Sequence, residues 1–230
     1  SFKISSMNKK GFISKTAKNE EFISGAFDRS SVRSKYPVLS IQGIFGLKDV
    51  FGADYNYQKF DFVIEHTKNI GVFGRIKYNV NLGYINGTAA YPFLKVHEGN
   101  QSYWLMTNAF NKMSFFEFIS DRYVTALLEN HWDGLFFDRI PLIKKLQWRL
   151  VSTGRIAYGQ ISSRHTEEML LPTFTKSFGN TPYVEVGLGI ENIFKVGRID
   201  AFWRLTHNLP GVKINDLTHF GIRARYAINF

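Results

Sequence analysis

The sequence predicts an all-β protein, an antiparallel transmembrane β-barrel with about eight to ten strands in this chain. Apolar and polar residues alternate along many segments, several of these segments run to about ten residues, and aromatic residues recur near their ends. Successive side chains of a strand point to opposite faces, so the alternation gives each strand one apolar and one polar face. Crossing a bilayer takes about 9 to 11 tilted residues, whereas strands of soluble proteins usually have about five or six.

The final segment, Leu217 to Phe230, shows this pattern most clearly. Its apolar face carries Phe220, Ile222, Ala224, Tyr226, Ile228 and Phe230. Its other face carries His219, Gly221, Arg223, Arg225 and Asn229. A last strand that ends on an aromatic residue at the carboxyl terminus resembles the insertion signal of outer-membrane β-barrels. We therefore interpret Tyr226, Ile228 and Phe230 as such a signal and expect a bacterial outer-membrane location.

The composition is compatible with a barrel and excludes several other classes. The 230 residues suffice for one domain, and the absence of cysteine excludes disulfides, thiolate metal sites and a cysteine nucleophile. No stretch approaches the roughly 18 to 20 apolar residues of a spanning helix. The net charge of +10 is spread over strand faces without a basic helix, so we expect no nucleic-acid partner. No motif indicates a cofactor. A soluble β-sandwich is the alternative fold, because its strands also alternate apolar and polar residues.

Seven further segments alternate before the last one. They are 38–47, 60–65, 70–84, 124–132, 146–158, 184–190 and 199–205. About eight strands therefore follow Val38, and a hairpin in residues 1–35 would raise the total to about ten. The chain opens on Ser1-Phe-Lys-Ile without an initiator methionine or signal peptide. We interpret it as a mature product or as the carboxyl-terminal part of a larger barrel.

The connections alternate between short and long, as they do in outer-membrane barrels. Residues 66–69 and 192–197 are predicted to be short periplasmic turns, and residues 48–54 are predicted to be an outer loop. Residues 85–118 are predicted to form one long outer loop, with room for a small hairpin or an inward fold. The apolar connection 134–145 is expected on the periplasmic side, where a short interfacial helix would explain its composition.

Charged residues on the polar strand faces are the candidate functional residues, because they would point into the lumen. They are Arg75, Lys77, Arg149, Arg155, Glu185, Glu191, Asp200, Arg204, Arg223 and Arg225. One interpretation is an ion-pair network that fills a closed lumen, with Arg204 paired to Glu185 or Glu191. The other is a basic constriction that selects anionic solutes. Both signs of charge on adjacent strands favour the network.

Three sets of residues could carry chemistry. His131 and Asp133 stand two residues apart, and His97 adjoins Glu98, but hydrogen bonding at a strand end or turn explains each pair. Ser162, His165 and Glu167 contain the residue types of a hydrolase triad, without the strand–turn–helix context that prepares such a nucleophile. We therefore predict no catalytic residue and no metal site.

Several motifs, taken together, resemble one family. They are Tyr36-Pro-Val, Gly52-Ala-Asp-Tyr-Asn-Tyr, Tyr91-Pro-Phe-Leu-Lys-Val-His-Glu-Gly-Asn100, Phe116-Glu-Phe-Ile-Ser-Asp-Arg-Tyr123, His131-Trp-Asp-Gly-Leu135, Ile140-Pro-Leu-Ile-Lys-Lys-Leu146 and Pro182-Tyr-Val-Glu-Val-Gly-Leu-Gly-Ile-Glu-Asn-Ile-Phe194. This set is similar to the carboxyl-terminal barrel region of a Bacteroidetes outer-membrane family with an amino-terminal carboxypeptidase-regulatory-like domain. The resemblance implies an outer-membrane barrel with further strands before this chain, and it implies no reaction, since that domain is non-catalytic.

The function predicted from these observations is a non-enzymatic outer-membrane barrel, a structural or accessory subunit of a cell-envelope assembly. Its expected partners are outer-membrane lipid and lipopolysaccharide, the barrel-assembly machinery during insertion, and other envelope proteins. A porin-like channel or transporter with a basic lumen is the first alternative. An outer-membrane hydrolase is the second.

Overall fold

The computed structural model of the protein describes the backbone of residues 3–8, 11–16, 21–24, 29–32, 36–47, 55–168, 171–208 and 219–226. Within them the strands are β1 Lys3–Asn8, β2 Gly11–Thr16, β3 Glu21–Ser24, β4 Arg29–Val32, β5 Val38–Gly46, β6 Tyr57–Asn69, β7 Arg75–Gly87, β8 Lys95–Val96, β9 Ile119–Ser120, β10 Arg122–His131, β11 Arg149–Gln160, β12 Tyr183–Ile193, β13 Gly197–Arg204 and β14 Phe220–Tyr226. The α-helices are α1 Pro141–Leu146 and α2 Ser163–Glu168, and single 3₁₀ turns lie at Gly71–Phe73, Tyr91–Phe93 and Phe137–Arg139. No helix in these ranges is long and apolar enough to cross a lipid bilayer.

Ten of the strands form one antiparallel sheet in the order β1-β2-β5-β6-β7-β10-β11-β12-β13-β14. Strands β3 and β4 pair separately, and so do β8 and β9. The all-β class and the antiparallel arrangement are thus confirmed, and eight of the sheet strands follow residue 37. In the described ranges no ladder joins β1 to β14, so the described sheet is open.

The polar face of this sheet is buried and its apolar face is exposed. In β12, Tyr183 and Glu185 are fully buried, whereas the side chain of Leu188 on the other face is 52% exposed. In β13, Asp200 is fully buried and Ile199 is 48% exposed. A soluble protein buries apolar side chains because removing them from water is favourable. The distribution of side chains in this sheet is the reverse.

The sheet curls with its polar face inside. Arg198 Nη2 of β13 donates to Glu129 Oε2 of β10 at 2.9 Å, although these strands are three positions apart in the sheet. In a flat sheet they would lie about 14 Å apart, since neighbouring strands are about 4.8 Å apart. One cavity is lined by both Thr67 of β6 and Arg225 of β14. The polar residues therefore line a concave surface.

Residues 88–118, here termed the inner segment, fold onto that concave face. Residues 103–105 lie along the edge of β14, where Leu105 N–H donates to the Ala224 carbonyl at 2.8 Å and Ala224 N–H donates to the Tyr103 carbonyl at 3.0 Å. Further along, Arg223 Nη2 donates to the Asn111 carbonyl at 2.8 Å. The structure thus contains both an inward fold and the small β8–β9 pair, and β7 continues to residue 87 rather than ending at 84.

An aromatic cluster joins the inner segment to the sheet. Phe110, Met113 and Phe118 of the inner segment pack against Phe178 and Tyr183. The rings of Phe118 and Phe178 stack with centroids 4.3 Å apart. Burial of an aromatic side chain stabilises by roughly 1.5 to 3 kcal/mol. The inner segment is therefore a packed part of the fold.

The turn between β6 and β7 lies at residues 70–74, and its predicted position at 66–69 was wrong. Residues 66–69 belong to β6, and Gly71 and Gly74 have φ angles of +64° and +81°. Glycine adopts such angles without the Cβ clash of other residues, so the chain reverses there. The sequence did not reveal this turn, because apolar residues at positions 70 and 72 are also what a strand would show.

The amino-terminal region and two connections also differ in detail from expectation. The described strands within residues 1–35 form two antiparallel pairs, β1–β2 and β3–β4, instead of one hairpin. Asn8 lies opposite Gly11, so β1 and β2 are neighbouring strands of the main sheet. The connection 134–145 contains the first five residues of helix α1 and the 3₁₀ turn before it. The predicted loop 48–54 lies outside the described residues.

Candidate functional site

The structure places all ten predicted charges on the concave face of the sheet. The ladders set Arg155 opposite Glu185 and Glu185 opposite Arg204, and the register of β7, β10 and β14 with these strands sets the other charges on the same face. The remaining seven are Arg75, Lys77, Arg149, Glu191, Asp200, Arg223 and Arg225. Tyr226 ends β14 with its side chain exposed, whereas Ile228 and Phe230 lie outside the described residues.

Glu185 connects the sheet to the inner segment. Its Oε1 accepts the Asn111 N–H at 2.8 Å, and its Oε2 accepts the Lys112 N–H at 2.9 Å and the Tyr183 hydroxyl at 3.1 Å. Arg155 Nη1 lies 3.6 Å from the same carboxylate, and both side chains are almost fully buried. A buried carboxylate needs such partners because its desolvation is unfavourable. Glu185 therefore fixes residues 111–112 onto β12.

A second connection joins Arg204 to Glu117 of the inner segment, and the predicted pairing of Arg204 with Glu185 or Glu191 was wrong. Arg204 Nη1 and Nη2 donate to the two Glu117 oxygens at 3.0 and 2.8 Å. Burial alone would raise the pKa of Glu117, but hydrogen bonds from Arg204, the Ser114 N–H and Lys176 lower it below its ordinary value. Sequence spacing could not reveal this pair because its members are 87 residues apart.

A third group of charges lies at the end of the sheet where the short turns 70–74 and 194–196 are found, here termed the short-turn end. His131 Nδ1 lies 2.9 Å from Glu191, and its Nε2 lies 2.8 Å from Glu129. Arg198 donates to Glu129 at 2.9 Å and to Asp200 at 2.7 and 2.8 Å. A doubly protonated His131 ring would donate to both glutamates. We term these five residues the carboxylate network.

Arg198 and Glu129 were absent from the predicted charges, although both carry the polar parity of their strands. His131 and Asp133, which stand two residues apart in the sequence, have different partners, and Asp133 lies 3.6 Å from Arg149. Extending the alternation to every charged residue of β10 and β13 would have identified Arg198 and Glu129. The partner of His131 depends on strand curvature, so the sequence alone could not supply it.

His97 is a buried histidine of the inner segment. Its Nε2 lies 3.1 Å from Ser120 Oγ, and its ring packs edge-on against Phe178. Burial, followed by the positive charge of Lys95, lowers the pKa of His97 to about 3. The adjacent Glu98 is exposed and pairs with Lys95 at 2.6 Å. His97 and Glu98 therefore have separate structural roles, and His97 is neutral at physiological pH.

Acidification should loosen the inner segment through His97. An unfolded histidine has a pKa of about 6.5, so below that value the opened segment binds a proton that the folded one does not. Its stability should fall by about 2 kcal/mol between pH 7 and pH 5. Hydrogen exchange of residues 88–118, corrected for the intrinsic rate, measures this loss, and His97→Gln should remove it. If His97→Gln kept the same pH dependence, His97 would not be its cause. Protonation of Glu117 would also loosen the inner segment, but only at a lower pH, because the pKa of this carboxyl is held below its ordinary value.

Ser162, His165 and Glu167 do not form a triad in the structure. His165 Nε2 accepts the Ala89 N–H at 3.2 Å, and its Nδ1 lies 3.4 Å from Asp121. Ser162 Oγ accepts a hydrogen bond from Arg122 at 3.4 Å. His165 is fully buried and holds the start of the inner segment against α2. Among the described residues, no cluster of three or more histidine and acidic side chains could hold a metal ion.

Comparison with known proteins gives one family. Residues 19–170 match the model of the C-terminal domain of a family of unknown function, DUF5686. The chain belongs to this family. The DUF5686 match includes the inner segment but ends before β12, so Glu185, Arg198 and Arg204 lie beyond it. The family description gives no activity, and no curated protein matches the chain significantly.

Proposed function

We propose that this DUF5686 chain forms part of a bacterial outer-membrane β-barrel with an occupied interior. It would act without catalysis, as a structural or accessory subunit of a cell-envelope assembly. The proposal depends on one observation, the reversed polarity of a curled sheet. Lipid solvates the exposed apolar face, while charged and polar side chains satisfy one another on the concave face.

Strand lengths and the short-turn end support a membrane location. Strands β6 and β7 have 13 residues each, and β11 has 12, which meets the length of a tilted crossing. At the short-turn end, Leu142 of α1 is 80% exposed and Val72 is 75% exposed. The exposed apolar side of α1, with Lys144 and Lys145 in its last turn, suits an interface with anionic lipid.

The packed interior favours a structural role over an open channel. Glu185, Arg155 and the Phe110–Phe118 part of the inner segment fill the concave face beside β12. A porin needs a continuous aqueous path lined by accessible side chains. The hydrolase alternative loses its support because the candidate base His165 accepts a backbone N–H in a buried position.

Fractionation and purification test this proposal directly. The native protein should appear in the outer-membrane fraction and migrate differently on a gel before and after boiling, as folded barrels do. After purification in mild detergent it should bring envelope proteins with it in fixed proportion, and it should give no steady conductance in a planar bilayer. Recovery in a soluble fraction would overturn the membrane location, and a steady anion-selective conductance would instead establish the porin-like alternative.

A further inference from the structure

A polar cavity of about 480 Å³ opens on the concave face at the short-turn end. Small-molecule sites in proteins commonly measure about 300 to 1,000 Å³. The cavity is lined by the turn before β13, by residues of β6 and β7 on one side and of β14 on the other, and by Thr107 of the inner segment. The curl of the sheet therefore creates this cavity, which we term the basic pocket.

Six cationic side chains line the basic pocket against two carboxylates. The cations are Arg75, Lys77, Arg149, Lys195, Arg198 and Arg225. The carboxylates Glu129 and Glu191 are engaged by Arg198 and His131. The side chains of Arg75, Lys77, Lys195 and Arg225 make no ion pair or hydrogen bond within the part of the chain that the structure describes. Four unpaired cations therefore converge on the cavity, and they outnumber the negative charge that Glu129, Glu191 and Asp200 leave after Arg198 and His131 are counted.

The carboxylate network gives this pocket a rigid wall. His131 is held between Glu129 and Glu191, and Arg198 is held between Glu129 and Asp200. These side chains are largely buried and have defined partners, so they would not swing over to neutralise the free cations. The free cations stand on β7, β14 and the turn at Lys195, around the opening. Positive charges arranged around a concave surface raise the local concentration of anions.

We propose that the basic pocket binds a small ligand with two or more oxyanion groups, carboxylate or phosphate. Arginine presents a planar set of donors that matches both groups, and lysine adds a point charge. A single monovalent anion would leave most of the four free cations unpaired, so a multiply charged ligand fits the pocket better. This binding site depends only on the curled sheet that the structure shows, and it does not depend on the structural role proposed above.

Isothermal titration of the detergent-purified protein tests the pocket, with pyrophosphate and citrate as probes at constant ionic strength. At least one of the two probes should bind, with one site per chain. The probe that binds more tightly identifies phosphate or carboxylate as the ligand group. The double change Arg75→Gln with Lys77→Gln should weaken binding at least about tenfold. Lys195→Gln, in a turn, provides a second variant that does not alter a strand.

The matched control is Lys68→Gln, which removes one positive charge from an exposed position of β6. Lys68 pairs with Ile76 in the ladder and so lies on the opposite face from Lys77. This variant should bind the probes as the unchanged protein does. Equal binding by all variants, or binding of neither probe, would overturn the proposal. An unchanged shift on boiling in each variant shows that the fold is intact, so failure of the ligand site is distinguishable from failure of the barrel.

Discussion

Replacing Leu188 with arginine should prevent stable assembly of the protein in a membrane. Leu188 stands at the middle of β12 on the convex face, and its side chain is 52% exposed. Arginine facing lipid at the bilayer midplane costs about 2 to 4 kcal/mol in barrels. The same change at an ordinary aqueous surface is usually within about 0.5 kcal/mol. Denaturant titration of the protein folded into lipid vesicles measures the difference.

Val72→Arg is the matched control for that change. Val72 is even more exposed, at 75%, but it lies in the turn between β6 and β7. A charge at the end of a barrel is tolerated because it reaches the water interface. Its effect should be below about 1 kcal/mol. Equal tolerance of both arginines would mean that water, and not lipid, covers the convex face.

Replacing Glu185 with alanine should release the inner segment from the sheet. The change leaves the buried Arg155 without its carboxylate and deprives the Asn111 and Lys112 N–H groups of their acceptors. Breaking a buried pair by removing one partner typically costs about 3 to 5 kcal/mol. We expect a lower unfolding midpoint, faster hydrogen exchange at residues 105–118, and conductance where the unchanged protein has none.

Two companion variants identify the reason for such a loss. Glu185→Gln keeps an acceptor oxygen but removes the charge, so it should retain part of the stability and still leave Arg155 unpaired. Glu98→Ala removes an exposed carboxylate of the inner segment that pairs with Lys95 and should change stability by less than about 1 kcal/mol. Rapid exchange of the inner segment in the unchanged protein would show that Glu185 does not secure it.

Alternation in the sequence was sufficient to predict most of the strands and the face on which each charge lies. Side-chain parity is a local property of the backbone, so Arg155 and Glu185 could be assigned to the same face from spacing alone. The 70–74 turn was missed because the dihedral angles of Gly71 and Gly74, which decide it, leave no mark on hydropathy. The same parity also assigns Arg198 and Glu129 to the charged face.

Partners across the concave face could not be predicted, because they depend on how the sheet curls. Arg204 contacts Glu117 because the inner segment folds inward. His131 contacts Glu191 because the curl brings β10 close to β12. The sequence by itself determined an antiparallel sheet with one apolar and one charged face, since a strand repeats every two residues. The tertiary structure alone decided which charges neutralise one another and which remain free in the basic pocket, because curvature brings together residues that no local spacing relates.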